Sequence, residues 1–151
     1  MNEEQIFQQI NRVRKATLKE IDGVTEEQAD QQPEGFKNTI RWNIGHIFVV
    51  QNSLISKYGG KPVNIPPRYL ELFAPRTSPS DWEGEIPTLD ELKQMLEAQP
   101  AKLEAALSGQ LDDEAREAFL GMPTVGELLN FTTYHEGVHT GTIKALKAHT
   151  K

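Results

Sequence analysis

Six of the nine prolines fall between Lys61 and Pro87: Pro62, Pro66, Pro67, Pro75, Pro79 and Pro87. No regular helix or central strand runs through such a stretch, because proline lacks an amide proton and fixes its own φ. The chain must be organised on either side of it. There, apolar residues recur at steps of three and four, the period of an amphipathic helix. A first helix is expected from about Glu3 to Ile21, with Ile6, Ile10, Val13, Thr17 and Ile21 on one face. A short helix follows, opened by Thr25 with Gln28 three residues on. A second long helix runs from Asn38 or Thr39 to Tyr58, stopped by Gly59-Gly60.

Beyond the prolines, a third long helix opens at Thr88 and carries Leu89, Leu92, Leu96, Leu103 and Leu107 to a stop at Ser108-Gly109. Pro100 lies inside it and should kink or interrupt it. Asp112, Asp113 and Glu114 read as a solvated acidic turn, with no strand pattern nearby. The fourth helix starts at Thr124 and continues to the C-terminus. A hairpin between antiparallel helices needs only about 2–8 residues. The segment from Lys61 to Pro87 is long enough to travel the length of a 20-residue helix, about 30 Å. The expected fold is all-α: a four-helix bundle over residues 1–151, one domain, with a long Pro-rich crossover between helices 2 and 3. That crossover should leave those two helices roughly parallel. Its Tyr69, Phe73 and Trp82 are expected to lean over one end of the core.

Composition removes several function classes. The net charge is −6, and the basic group Arg12, Arg14 and Lys15 is flanked by acids, so no nucleic-acid partner is expected. There is no cysteine, which excludes disulfides, thiolate-ligated metals and a cysteine nucleophile. The N-terminus is polar and no window approaches about 18 apolar residues, so no membrane partner is expected and a cytoplasmic protein is.

The four histidines carry the chemistry. His135 and His139 lie four apart on a helix and therefore one above the other. Their face passes through Leu128, Phe131, Thr132, Thr142, Ile143 and Leu146, so both imidazoles should point into the core. His46 falls on the core face of the second helix with Thr39, Trp42, Asn43, Val49, Val50, Ser53 and Leu54. His149 is near the C-terminus and should be exposed. Buried imidazoles need partners. Side-chain or backbone hydrogen bonds would serve, and so would a divalent metal held by His46, His135 and His139. Three protein ligands leave a coordination position open for water or substrate, the pattern of a catalytic site. Proton competition for such ligands should weaken metal binding between about pH 7 and pH 5, on the free imidazole value near 6.5.

Glu136 gives the stretch a formal His-Glu-x-x-His match, which would make it a general base. The plainer expectation is a solvated carboxylate about 100° round the helix from His135, with a hydrogen bond to a ligand as the middle option. No catalytic residue is assigned. Gly137 and Gly141 would allow another backbone to approach closely, inside the bundle or across a dimer. Arg41 reads either as an anion-binding group or as a surface ion pair.

The stretches Trp42-Asn43-Ile44-Gly45-His46-Ile47 and Tyr134-His135-Glu136-Gly137-Val138-His139-Thr140-Gly141-Thr142-Ile143 resemble the two histidine motifs of the DinB-like superfamily. Family members often carry an arginine immediately after the second helix 4 histidine, where this chain has Thr140. The resemblance implies a four-helix bundle with a crossover, commonly a homodimer, and a divalent metal, zinc or nickel. It also implies a metal-dependent thiol S-transferase that joins a low-molecular-weight thiol, such as bacillithiol, to an electrophile. A metal-dependent hydrolase and a non-catalytic metal- or ligand-binding dimeric stress protein are the alternatives.

Overall fold

The computed structural model describes residues 1–151 and is mostly helical. Helices α1 (Glu3–Ile21), α2 (Glu26–Ala29) and α3 (Ile40–Ser53) precede the proline-rich segment. Short α4 (Pro67–Phe73) lies within it, and α5 (Leu89–Leu107) and α6 (Val125–Ala148) follow. The starts are those the capping residues specify. Asn2, Thr25, Thr39, Thr88 and Thr124 each accept a hydrogen bond from the backbone amide three residues on, pairing a donor that the first turn leaves open. α3 ends in a π-helical turn, Leu54–Tyr58, before Gly59 and the positive-φ Gly60.

Hydrogen bonds across the interior fix how the four long helices run. Arg14, Thr17 and Glu20 of α1 meet Glu136, Thr140 and Lys147 of α6 in rising order, so these helices run the same way. Arg41 reaches the Pro87 carbonyl just before α5, while Gln99 reaches Phe48 and Asn52, so α3 and α5 are also parallel. The segment 61–87 is therefore a crossover. α3 opposes α6, with Asn43 against His139 and Gln51 against Thr132. Every residue of α3 from Ile40 to Asn52 is buried, which explains why its pattern is less amphipathic than that of α1.

Three expectations need correction. The fold is not purely helical: β1 (Glu114–Phe119) and β2 (Met122–Thr124) form an antiparallel hairpin where an acidic turn was expected. Glu114 to Phe119 has no clean alternation, and the turn Leu120-Gly121 lacks the usual Asn-Gly signal. Both turn residues nevertheless take positive φ, 51° and 77°, as a tight hairpin turn requires. The hairpin closes one end of α3, because Arg116 donates to the carbonyls of Ser56 and Lys57.

The second is the interruption expected at Pro100. α5 passes through it without interruption, and Pro100 is buried. Proline removes the bond that the carbonyl four residues earlier would accept. That carbonyl, Leu96, accepts instead from Arg14 Nη1 at 2.7 Å.

The third is the inner face of α6. Its most buried line runs through Leu128, Leu129, Thr132, Glu136, Ile143 and Leu146. His135 and His139 lie at the edge of that line and are half-buried. Gly137 and Gly141 are exposed, and a Cβ at either would meet nothing, so neither mediates close packing within the chain.

Candidate metal centre

His46, His135 and His139 come together on the α3–α6 seam. One ring nitrogen from each lies within 4.8 Å of the others. His46 is buried and the other two are half-buried. The predicted trio is therefore assembled, while His149 is exposed and remote from it, bonded to the Ala145 carbonyl.

The surroundings set the tautomers. His46 Nδ1 lies 2.7 Å from the Phe73 carbonyl. A carbonyl only accepts, so Nδ1 carries the proton and Nε2 keeps its lone pair. His139 Nδ1 lies 2.8 Å from Asn43 Oδ1. The Asn43 amide is held in that orientation because its Nδ2 donates to Thr39 O and Asn38 Oδ1. His139 therefore also presents Nε2. His135 Nε2 stands 3.2 Å from His46 Nε2. Two nitrogens bound tetrahedrally to one ion at about 2.0–2.1 Å sit about 3.3 Å apart, so this pair has the spacing a shared metal needs. The donor set, neutral imidazoles without thiolate, suits zinc, nickel or a similar borderline ion.

Packing fixes the His46 ring. Trp42 stacks on it with centroids 4.3 Å apart and planes 16° from parallel. Trp42 Nε1 is tied to Thr77 Oγ1 of the crossover at 2.9 Å. Gly45 is required where it stands, since a Cβ there would overlap the Phe73 ring. That approach brings the Phe73 carbonyl to His46. The crossover thus reaches the site through the backbone of Phe73 and through Thr77. Tyr69 and Trp82 pack edge-on against the Phe73 ring, one layer further out.

The site disfavours protonated imidazole. Burial, then the neighbouring His139 and His46 rings, lowers the His135 pKa to about 3. Burial, then His46, lowers that of His139 to about 4. Burial lowers that of His46 too, opposed by its bond to the Phe73 carbonyl. The histidines are held neutral, the state in which imidazole binds metal.

Glu136 is neither solvated nor directed at the histidines. It is 2% exposed, accepts from Arg14 Nε at 2.8 Å and Nη2 at 3.1 Å, and accepts from Thr17 Oγ1 at 2.7 Å. The step of about 100° per residue turns it toward α1 while His135 turns toward α3. The His-Glu-x-x-His match is formal only. Thr140, where family members often have arginine, bonds Thr17 Oγ1 at 2.9 Å and joins the same network. Arg41 is also committed: its buried guanidinium pairs with Glu26 and Asp30 at 2.9 and 2.8 Å. Asn43 and the Phe73 carbonyl join the site beyond what the sequence predicts. Asn43 was visible on the core face one turn before His46, and nothing local marks Phe73.

A scan of the sequence against known protein families matches residues 9–143 to the DinB superfamily. The chain belongs to the DinB superfamily. Membership agrees with both histidine motifs and with a metal-binding protein. The curated proteins contain no match to this DinB-superfamily chain. None of its helices is long and apolar enough to cross a membrane.

Proposed function

We propose that the protein is a metal-dependent thiol S-transferase with His46, His135 and His139 as ligands of one divalent ion, zinc or nickel. The observation that carries the metal assignment is the 3.2 Å separation of His46 Nε2 and His135 Nε2, with the opposite nitrogen of His46 held by a carbonyl. We read the four long helices as a single-domain four-helix bundle and take the protein to act in the cytoplasm as a homodimer.

The metal would supply one thing: it deprotonates a coordinated thiol. That suits a chain with no cysteine of its own, so the nucleophile comes from a small cofactor such as bacillithiol. The protein's own groups orient and exclude. Phe73 O and Asn43 Oδ1 hold two rings with Nε2 inward. Trp42 stacks on the His46 ring, and the half-buried His135 and His139 leave the site approachable. A hydrolase is less well supported, because it would use a base beside the metal water, and Glu136 is bound to Arg14.

Elemental analysis of purified protein should find one divalent ion per chain, lost in the His135→Ala, His139→Ala double variant. Metal content unchanged in that variant would overturn the ligand assignment. Loaded and stripped protein should then be incubated with bacillithiol and a fluorogenic halogenated electrophile. Conjugate formation only with the loaded protein supports transfer. Metal bound but no conjugate with any thiol tried would favour the non-catalytic binding protein.

A further inference from the structure

One cleft of the molecule lies away from the histidines. It has a volume of about 630 Å³ and lies between α3, α5 and the start of the crossover. Small-molecule sites commonly measure about 300–1,000 Å³. α3 contributes Phe48 and Asn52, α5 contributes Met95, Gln99 and Lys102, and residues 62–67 form the third wall. Phe48 and Asn52 stand on the side of α3 that faces α5, so this cleft is separate from the α6 seam.

One wall residue has unfinished hydrogen bonding. Gln99 is 2% exposed. Its Nε2 donates to the Phe48 carbonyl and to Asn52 Oδ1, both at 2.9 Å. Asn52 is fixed in turn, because its Nδ2 donates to the Asn64 carbonyl at 2.9 Å. Turning the Gln99 amide over would set oxygen against the Phe48 carbonyl, so Oε1 is the atom left over. It is the one buried side-chain polar atom of the protein without a partner. A buried acceptor left open costs about 1–3 kcal/mol, and such exceptions call for a reason. At the cleft mouth, Lys102 is exposed and forms no ion pair.

We propose that this cleft binds a small amphipathic organic anion. Its apolar body lies against Phe48, Met95 and the prolines. An N–H or O–H group donates to Gln99 Oε1, and its anionic group faces Lys102. The slight side-chain movement that opens Oε1 to the ligand is of the kind that commonly accompanies binding.

The probe 1-anilinonaphthalene-8-sulfonate carries all three features: aromatic rings, an anilino N–H and a sulfonate. Titration of the folded protein should give a saturable, one-to-one fluorescence increase. Lys102→Glu, on the surface, should weaken binding about fivefold, the scale of one exposed charge pair. Ala106→Phe, which puts a ring into the cleft, should abolish it. Binding should be unchanged in the His135→Ala, His139→Ala variant and with chelator, so this result does not depend on the metal. Amide chemical-shift changes should centre on residues 48–52, 62–67 and 95–106. Non-saturable binding, binding indifferent to both cleft variants, or shifts centred on the exposed Tyr134 and Val138 would overturn the proposal.

Discussion

Arg14 replaces the amide proton that Pro100 lacks. Its Nη1 donates at 2.7 Å to the Leu96 carbonyl, the group four residues before Pro100. The same guanidinium binds Glu136 through two nitrogens and Gln51 through one. Gln51 in turn donates to Thr132. One buried cation thus joins α1, α3, α5 and α6.

Removing that cation strands a carboxylate and a carbonyl together. Arg14→Met should cost about 3–5 kcal/mol of stability, the range for breaking a buried pair by one partner. Pro100→Ala returns an amide proton to Leu96. In that background Arg14→Met should cost less, by about 1 kcal/mol for one hydrogen bond. Urea unfolding of the four proteins gives the coupling. Strict additivity would contradict the exchange of donors.

Gly45 should be irreplaceable for metal binding. Gly45→Ala drives a methyl into the Phe73 ring and should cost about 1–3 kcal/mol, as overpacking does. It should also displace the Phe73 carbonyl from His46 Nδ1. Calorimetric zinc titration below the melting point is expected to show weaker binding. Unaltered affinity in a destabilised variant would mean that the Phe73 contact does not orient the ring.

Asn43 offers a gentler test of orientation. Asn43→Ala removes the acceptor at His139 Nδ1 but no ligand. Losing such a partner typically lowers metal affinity about 10–100-fold. Competition with a chromophoric chelator reads that change, and circular dichroism checks the fold. A fall of less than about threefold would leave Asn43 with a structural role alone.

The metal-free protein should lose stability in acid with a definite sign. His135 and His139 have folded pKa values lowered to about 3 and about 4, against about 6.5 in the unfolded chain. Below about pH 6.5 the unfolded chain takes up protons that the folded chain refuses. Their contribution is complete above that pH and is lost as pH falls toward the folded values. Unfolding measured in chelator from pH 7.5 to 4.5 should have a slope steeper than that of His135→Ala, His139→Ala by up to about two protons. Equal slopes would show that the rings titrate normally. The same values move proton competition for a bound ion below the range of pH 7 to 5 that free imidazole predicts.

The helices were legible because four threonines mark starts and because apolar spacing is a local signal. The crossover was legible because proline density is local too. The three histidines were legible as a set because helix periodicity turns each toward the core and because both stretches that carry them resemble the histidine motifs of one family. What escaped was non-local. Glu136 reads as solvent-facing until Arg14, 122 positions earlier, is known to lie across from it. Pro100 reads as a break until the same arginine supplies the missing donor. The hairpin escaped for a different reason: Leu120 adopts a positive φ that its side chain does not advertise.

On α6, neighbouring residues face different ways, so Glu136 ties the helix to α1 while His135 and His139 face α3. The polar hub that fixes the scaffold contains none of the three metal-ligand candidates. A lineage built on this helix is therefore free to exchange its histidines for other side chains, acquiring or abandoning chemistries, while the arginine–glutamate anchor keeps the helices in register.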